Sequence, residues 1–305
     1  MRNMASILVF EVFMLNEGKT KEFKTIEEQL KILKERGLII DDEEQALHIL
    51  LTTNYYRLSA YSLTLRKSNH FYDEITLDNI VELYLFDDNF RSLIMQYTSF
   101  IEIAFRTYIS YHHSEKYGPL GYILNDNFDN KLLHASFLKE LDREISRSDD
   151  TFIDHHRKDL NSVYPFWVAI EVTTFGVLSK LFKNLHTDER TYISKKYYKV
   201  HREYVENWLQ ATVLARNISA HGSRFYNRKI RSCPVKLDKK MQGRFDSMSP
   251  FAFVFAIYKL LPSNKLRLAF KKELISLFKR YPFAQEKHMG FPENWIKLLE
   301  EQTIP

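Results

Sequence analysis

Apolar residues recur every three or four positions along most of the chain, and this spacing predicts helices rather than strands. The first helix should begin at a capping box, because Thr25 precedes Glu28 by three positions and Ile26, Leu30 and Leu33 then follow at helical spacing. Gly37 is placed to end it. The N-terminal part of the chain is therefore expected to start with a well-defined helix.

The same periodicity predicts helices along the rest of the chain, at about 42–50, 55–65, 76–86, 90–112, 137–164, 165–185, 202–221, 250–261, 263–280 and a short one around Trp295. Residues 113–135 and 222–248 are predicted to be loops, because they contain helix breakers or few apolar side chains. Patterns of period two are scarce. The expected fold class is therefore all-α.

Composition supports a folded protein with a sizeable core, since 45% of the 305 residues are hydrophobic. The single cysteine, Cys233, excludes an internal disulfide and a cysteine-based zinc finger, and it suits a reducing cytoplasm. No segment approaches the roughly 20 apolar residues of a membrane span. The apolar stretch 4–15 is interrupted by Glu11 and lacks a small-residue cleavage site, so a core segment or a mis-assigned start is favoured over a signal peptide.

Charge is distributed unevenly along the chain. Residues 1–200 contain 25 basic and 30 acidic side chains, whereas residues 201–305 contain 19 basic and 9 acidic ones. A basic segment of this kind is typical of proteins that bind a polyanion. The competing interpretation is a solvated basic face with no partner.

The strongest candidate for chemistry is the segment from Arg216 to His221, which is followed by Gly222. Arg216 falls in an apolar stripe of the predicted helix, where a guanidinium needs an anionic partner. Arg216 and His221 are about 140° apart on an ideal helix, so they can converge only if the helix ends near His221, as Gly222 would allow.

These residue types suit RNA cleavage without a metal. A histidine at a helix C-terminus can exchange a proton near neutral pH, an arginine can stabilise charge on a phosphate, and Asn217 can position either one. RNA supplies the nucleophile through its 2′-hydroxyl. The alternative is structural: a buried arginine paired with a carboxylate, and a histidine that caps a helix.

Several further segments resemble the Abi-like family of bacterial abortive-infection proteins, also called AbiD/AbiF, and occur here in the family's order: Asn54 to Tyr61, Leu83 to Asp87, Ile101 to Arg106, Pro165 to Trp167, Thr174 to Ser179 and Arg216 to Arg228. The resemblance covers about residues 20–280. One difference is Ala60, where the family more often has glycine.

The resemblance implies a HEPN-like helical bundle with additional N- and C-terminal helices. It further implies metal-independent RNA cleavage by Arg216, Asn217 and His221, no cofactor, a homodimer that brings two motifs together, and a restraining partner such as a small structured RNA antitoxin. We expect an N-terminal helical segment at 20–75, a core with the motif at 76–230, and a basic loop with C-terminal helices at 231–305.

Other residues are candidates for supporting roles. Glu102 and Arg106 are four positions apart on a helix and either form a structural pair or support Arg216. The RNA-binding candidates are basic or aromatic: Arg224, Tyr226, Arg228, Lys195, Lys196 and Lys199. A solvated loop at 222–228, and an amphipathic helix at 190–204 with Tyr197 and Tyr198 facing inward, are the competing interpretations.

Other classes of function are not supported by the sequence. It has no glycine-rich nucleotide loop, and its adjacent histidine pairs, His112 with His113 and His155 with His156, point in different directions on a helix. The remaining hypotheses are an endoribonuclease, an RNA-binding module without turnover, and a helical protein–protein adaptor. The intact Arg, Asn and His of the motif favour the endoribonuclease.

Overall fold

The computed structural model describes residues 21–301, so the apolar stretch 4–15 lies outside the described residues. In the described part, thirteen α-helices and one two-stranded hairpin are present, which confirms the all-α prediction. The chain divides into two compact units, one ending at Val81 and the other beginning at Glu82. No helix in the described part is long and apolar enough to cross a bilayer.

The first unit contains three helices: α1 (Ile26–Glu35), α2 (Glu43–Thr53) and α3 (Tyr55–Tyr61). The predicted capping box is present, because the Thr25 hydroxyl accepts from the Glu28 N–H and the Glu28 carboxylate accepts from the Thr25 N–H. Strands β1 (Arg66–Lys67) and β2 (His70–Phe71) pair antiparallel, a hairpin that the sequence patterns did not predict.

The next helix, α4, runs for 41 residues from Leu77 to Tyr117. The sequence predicted two helices here, with a break before Phe90, and this prediction is wrong. No glycine or proline interrupts the segment, and Arg91 pairs with Asp87 and Asp88 at helical spacing. The polar residues that suggested a break therefore form ion pairs along one continuous helix.

The second unit contains the later part of α4 and nine further helices: α5 (Lys131–Arg147), α6 (Thr151–Asp159), α7 (Phe166–Ala169), α8 (Phe175–Asn184), α9 (Thr187–Ile193), α10 (Arg202–Ala220), α11 (Pro250–Leu260), α12 (Asn264–Arg280) and α13 (Trp295–Glu300). The predicted loop at 113–135 is shorter than expected, because α4 continues to Tyr117 and α5 begins at Lys131. The other predicted loop, 222–248, is confirmed as turns and irregular segments.

The core of the second unit forms around α10 and α11. Every residue of α11 is buried, as expected for a helix that is apolar on all sides, and α10 packs against both α11 and α8. On α4, Phe105 contacts Phe182 of α8 edge to face, and Tyr97 lies against Phe270 of α12. The last turns of α10, which contain the motif, are thus supported by a packed helical core.

Candidate functional site

Helix α10 ends at the motif, as the sequence predicted. His221 is the C-cap residue, and Gly222 follows with a positive φ of 61°. The Gly222 N–H donates to the Ser219 carbonyl at 3.0 Å, and the Ser223 N–H donates to the Ile218 carbonyl at 2.9 Å. This is a Schellman ending, which requires the left-handed conformation that glycine adopts without strain. The chain turns away there, and the His221 side chain is exposed to solvent.

Arg216 lies one turn earlier and is partly buried, with 29% of its side chain exposed. Its guanidinium is 3.9 Å from a carboxylate oxygen of Glu102 and lies over the Phe175 ring, 6.0 Å from the ring centre. It also donates to the Asn217 side-chain oxygen at 3.2 Å. The anionic partner that the sequence required for this arginine is therefore Glu102 of α4.

The predicted pair of Glu102 and Arg106 forms at 2.8 Å and is part of a wider network. Arg106 also donates to the Thr173 carbonyl at 2.8 Å and lies 3.7 Å from the Glu171 carboxylate. Burial raises the pKa of the Glu102 carboxyl, while Arg106 and Arg216 act in the opposite direction. Glu102 thus lies between two guanidiniums and connects the motif to α4.

Arg216 and His221 do not hydrogen-bond to each other within the described residues. Both lie at the C-terminal end of α10, where Arg216 is partly covered and His221 is open to solvent. A guanidinium can bind a phosphate through charge-assisted hydrogen bonds. The end of α10 therefore carries a partly buried cation and an exposed imidazole, five positions apart in sequence.

The segment after His221 is anchored by a residue that the sequence analysis did not select. Asp87 of α4 is fully buried and pairs with Arg91 at 2.8 Å. Its carboxylate also accepts from the backbone N–H groups of Phe225, at 3.1 Å, and Tyr226, at 2.8 Å. An aspartate within the apolar segment Leu83 to Asp87 was the available signal, but nothing local indicated its distant partners.

The prediction that Tyr226 contacts RNA is corrected by its burial. Its side chain is only 1% exposed, and its ring packs edge to face on Phe86. The Gln285 N–H donates to its hydroxyl at 3.4 Å. Tyr226 is therefore a core residue whose ring face is not open to a base.

The two arginines in this segment differ in their surroundings. Arg224 is partly buried and donates to the carbonyls of Tyr226 and Asn227, so it stabilises the turn in which it lies. Arg228 is exposed and donates to the Arg224 carbonyl at 3.2 Å. Of the pair, Arg228 is the better placed to reach a ligand in solvent.

Lys195, Lys196 and Lys199 all lie on the surface, in or directly after a π-helical turn at Ser194–Tyr198. The competing interpretation, an amphipathic helix at 190–204, holds only for two side chains: Tyr198 is buried, and Tyr197 stacks on Tyr108 with 3.7 Å between ring centres. The segment is not one helix, since Lys199 after the π-helical turn is left-handed, and Tyr192 is exposed. The structure does not bring these lysines into contact with the motif. They form a separate basic surface.

Potential metal ligands are dispersed in the described part of the chain. Within residues 21–301, no group of three or more histidine, cysteine, aspartate or glutamate side chains is arranged to hold a metal ion. The adjacent histidines His112 and His113 do point apart, towards Tyr197 and Glu189 respectively.

We expect the Asp87→Asn substitution to lower the free energy of unfolding by about 3–5 kcal/mol, because it removes one partner of a buried ion pair. Asp88→Asn is the matched control. Asp88 pairs with the same arginine at 2.7 Å but is largely exposed, so its loss should cost at most about 1 kcal/mol. Urea denaturation of both variants measures the difference. Equal losses would contradict the anchoring role of Asp87.

Comparison with known proteins places the chain in a family. A family model described as Abi-like protein matches residues 48–227, which is more than half of the chain and includes α4, α8 and α10. No curated protein and no solved structure gives a significant match. The description suggests a role in abortive infection, that is, in defence against phage. The chain therefore belongs to the Abi-like protein family.

Proposed function

We propose that the protein is a metal-independent endoribonuclease of the HEPN type that acts as an abortive-infection toxin in phage defence. The observation that carries this proposal is the end of α10, where Arg216 is held against Glu102 and His221 is exposed one turn later. Membership of the Abi-like family supports the biological role. The single cysteine and an RNA substrate are consistent with action in the cytoplasm.

The proposed reaction is attack of a ribose 2′-oxygen on the adjacent phosphorus. The bond from the 2′-oxygen to phosphorus forms, the bond from phosphorus to the 5′-oxygen breaks, and a 2′,3′-cyclic phosphate remains. The proton of the 2′-hydroxyl leaves to a base, and the departing 5′-oxygen receives a proton from an acid. His221 serves in this proton transfer, and Arg216 stabilises the negative charge that develops on the phosphate.

Glu102 and Arg106 are assigned positioning roles in this scheme. Glu102 attracts the Arg216 guanidinium from one side at 3.9 Å, and Arg106 fixes Glu102 at 2.8 Å. Arg106 is in turn hydrogen-bonded to the Thr173 carbonyl, so the network is attached to backbone. A pre-oriented arginine loses less entropy when it binds the phosphate, which favours the transition state. Asn217, which accepts from Arg216, completes this orientation.

A homodimer suits this chemistry, since each chain contributes one His221 and cleavage requires both a base and an acid. In a dimer with two adjacent motifs, one imidazole would accept the proton and the other would donate one. We further propose that a partner, such as a small structured RNA, restrains the enzyme in uninfected cells. Arg228 and the exposed lysines near the π-helical turn are surface cations that can bind RNA phosphates.

Expression of the protein in bacteria tests the proposed function. The wild-type protein should arrest growth and fragment cellular RNA, which a denaturing gel detects. Arg216→Ala should relieve the arrest, because loss of one charge-stabilising donor lowers the rate by about 10²–10³-fold. Arg143→Ala is the control, since Arg143 forms exposed ion pairs on α5.

Both variants must accumulate to the wild-type level for the comparison to hold. Growth arrest by Arg216→Ala equal to that of the wild type would contradict the proposal. RNA binding without any cleavage by the wild-type protein would favour a binding module instead.

A further inference from the structure

A second surface with the character of a ligand site lies beside the π-helical turn. It comprises Tyr111 of α4, Tyr192 of α9, and Lys195 and Lys196, and we refer to it as the tyrosine–lysine surface. The two tyrosines are 58% and 51% exposed, and both lysines are exposed. Two large rings thus face solvent next to two cations.

The two exposed tyrosine rings pack against buried side chains. His112 is buried between them, with its ring 5.0 Å from that of Tyr111 and 4.9 Å from that of Tyr192, edge to face in both cases. Its Nε2 is 2.9 Å from the Tyr197 hydroxyl, and Tyr197 stacks on Tyr108. The exposed tyrosines are therefore pre-oriented, so that a ligand that stacks on them loses little entropy in ordering them.

The charge on this surface is positive. The Lys196 ammonium lies 5.2 Å from the Tyr192 ring centre and donates to its hydroxyl at 3.3 Å. Among the described residues, Lys195 and Lys196 form no ion pair with a carboxylate. The Glu115 carboxylate pairs with His112 and also acts electrostatically on Lys196, so one carboxylate lies close to this surface. Both lysines are exposed and can still contact an external anion.

Exposed aromatic rings beside exposed lysines match single-stranded nucleic acid, whose bases stack on rings while its phosphates contact cations. We propose that the tyrosine–lysine surface is a base-stacking subsite for single-stranded RNA, in which bases stack on Tyr192 and Tyr111 and phosphates contact Lys195 and Lys196. This inference rests on the proposed ribonuclease function, because it assigns part of the substrate's path. It adds two tyrosines that the sequence patterns did not select.

Helix α4 contributes to this subsite and also carries the partner of Arg216. Tyr111 is nine residues after Glu102, about 180° round an ideal helix, so the two side chains lie on different faces of α4. The subsite would therefore bind bases away from the cleaved phosphate. Substrates too short to reach it should bind more weakly.

Binding can be measured without cleavage in a protein that already has the His221→Ala substitution. The probe is a fluorescein-labelled 12-nucleotide oligoadenylate, and the measurement is its fluorescence anisotropy at one fixed salt concentration. Tyr192→Ala should weaken binding by about tenfold, and the added Tyr111→Ala should weaken it further, because each removes a stacking platform. Tyr192→Phe keeps the ring and should bind as the parent protein does.

Two controls distinguish the loss of base stacking from effects on charge and on folding. Tyr72→Ala removes an equally exposed tyrosine from the first unit and should leave affinity unchanged. An abasic strand of the same length should be insensitive to Tyr192→Ala, since it has phosphates but no bases. Thermal unfolding of each variant verifies that it is folded.

Unchanged affinity of the Tyr192→Ala, Tyr111→Ala protein for oligoadenylate would overturn the inference. An equal loss of affinity for the abasic strand would overturn it as well, because the weaker binding would then come from lost charge contacts or from misfolding. A different result would show that the proposed ribonuclease function is wrong while the subsite is real. The wild-type protein would not cleave RNA, but its RNA binding would still depend on the two tyrosines.

Discussion

Replacement of His221 by alanine is expected to slow RNA cleavage by roughly 10²–10⁴-fold, the usual contribution of one proton-transfer group. The same change should alter the free energy of unfolding by less than about 0.5 kcal/mol. The reason is that the imidazole is exposed, while the capping interaction at this residue comes from its backbone N–H, which donates to the Asn217 carbonyl at 3.0 Å. The substitution should therefore slow RNA cleavage while it leaves the free energy of unfolding nearly unchanged.

Single-turnover cleavage of a labelled RNA by the purified proteins measures this effect. His155→Ala is the matched control, because His155 is also an exposed histidine on a helix and pairs only with Asp159. It should cleave at the wild-type rate. A His221→Ala protein that cleaves as fast as the wild type would show that another group transfers the proton.

The helix ends were predictable because their causes are local. Thr25, Ser249 and Ser263 accept hydrogen bonds from backbone N–H groups at most three residues away, and Gly222 ends α10 with contacts to its own last turn. The placement of His221 at an exposed helix end follows from the same local rules. Cap residues and helical periodicity were therefore enough to predict where the motif helix ends.

The remaining features depend on contacts between distant parts of the chain. Asp87 and Tyr226 are 139 positions apart in sequence, so no local pattern indicated that the loop after the motif is tied to α4. The same limit explains why Tyr226 looked like a surface residue in a basic loop but is buried. Its ring and hydroxyl contact Phe86 and Gln285, which are distant from it in sequence.

The candidate site was predictable in part. An arginine in an apolar stripe required an anionic partner, and Glu102 had been considered as its support, but only the fold determines that Glu102 lies 3.9 Å from Arg216. Tyr111 and Tyr192 were missed because they lie on two helices that are distant in sequence, α4 and α9. Only the fold brings both rings against His112.

In the proposed reaction the RNA supplies its own nucleophile, and the protein supplies Arg216 and His221. The most direct measurement uses a short RNA with one preferred cleavage position, and the same strand with a single 2′-deoxynucleotide at that position, both in excess EDTA. We expect the RNA to be cut to a 2′,3′-cyclic phosphate and the deoxy strand to stay intact at that bond, because the attacking oxygen is missing. Cleavage of the deoxy strand at the same bond, or a strict requirement for Mg²⁺, would rule out attack by the 2′-oxygen.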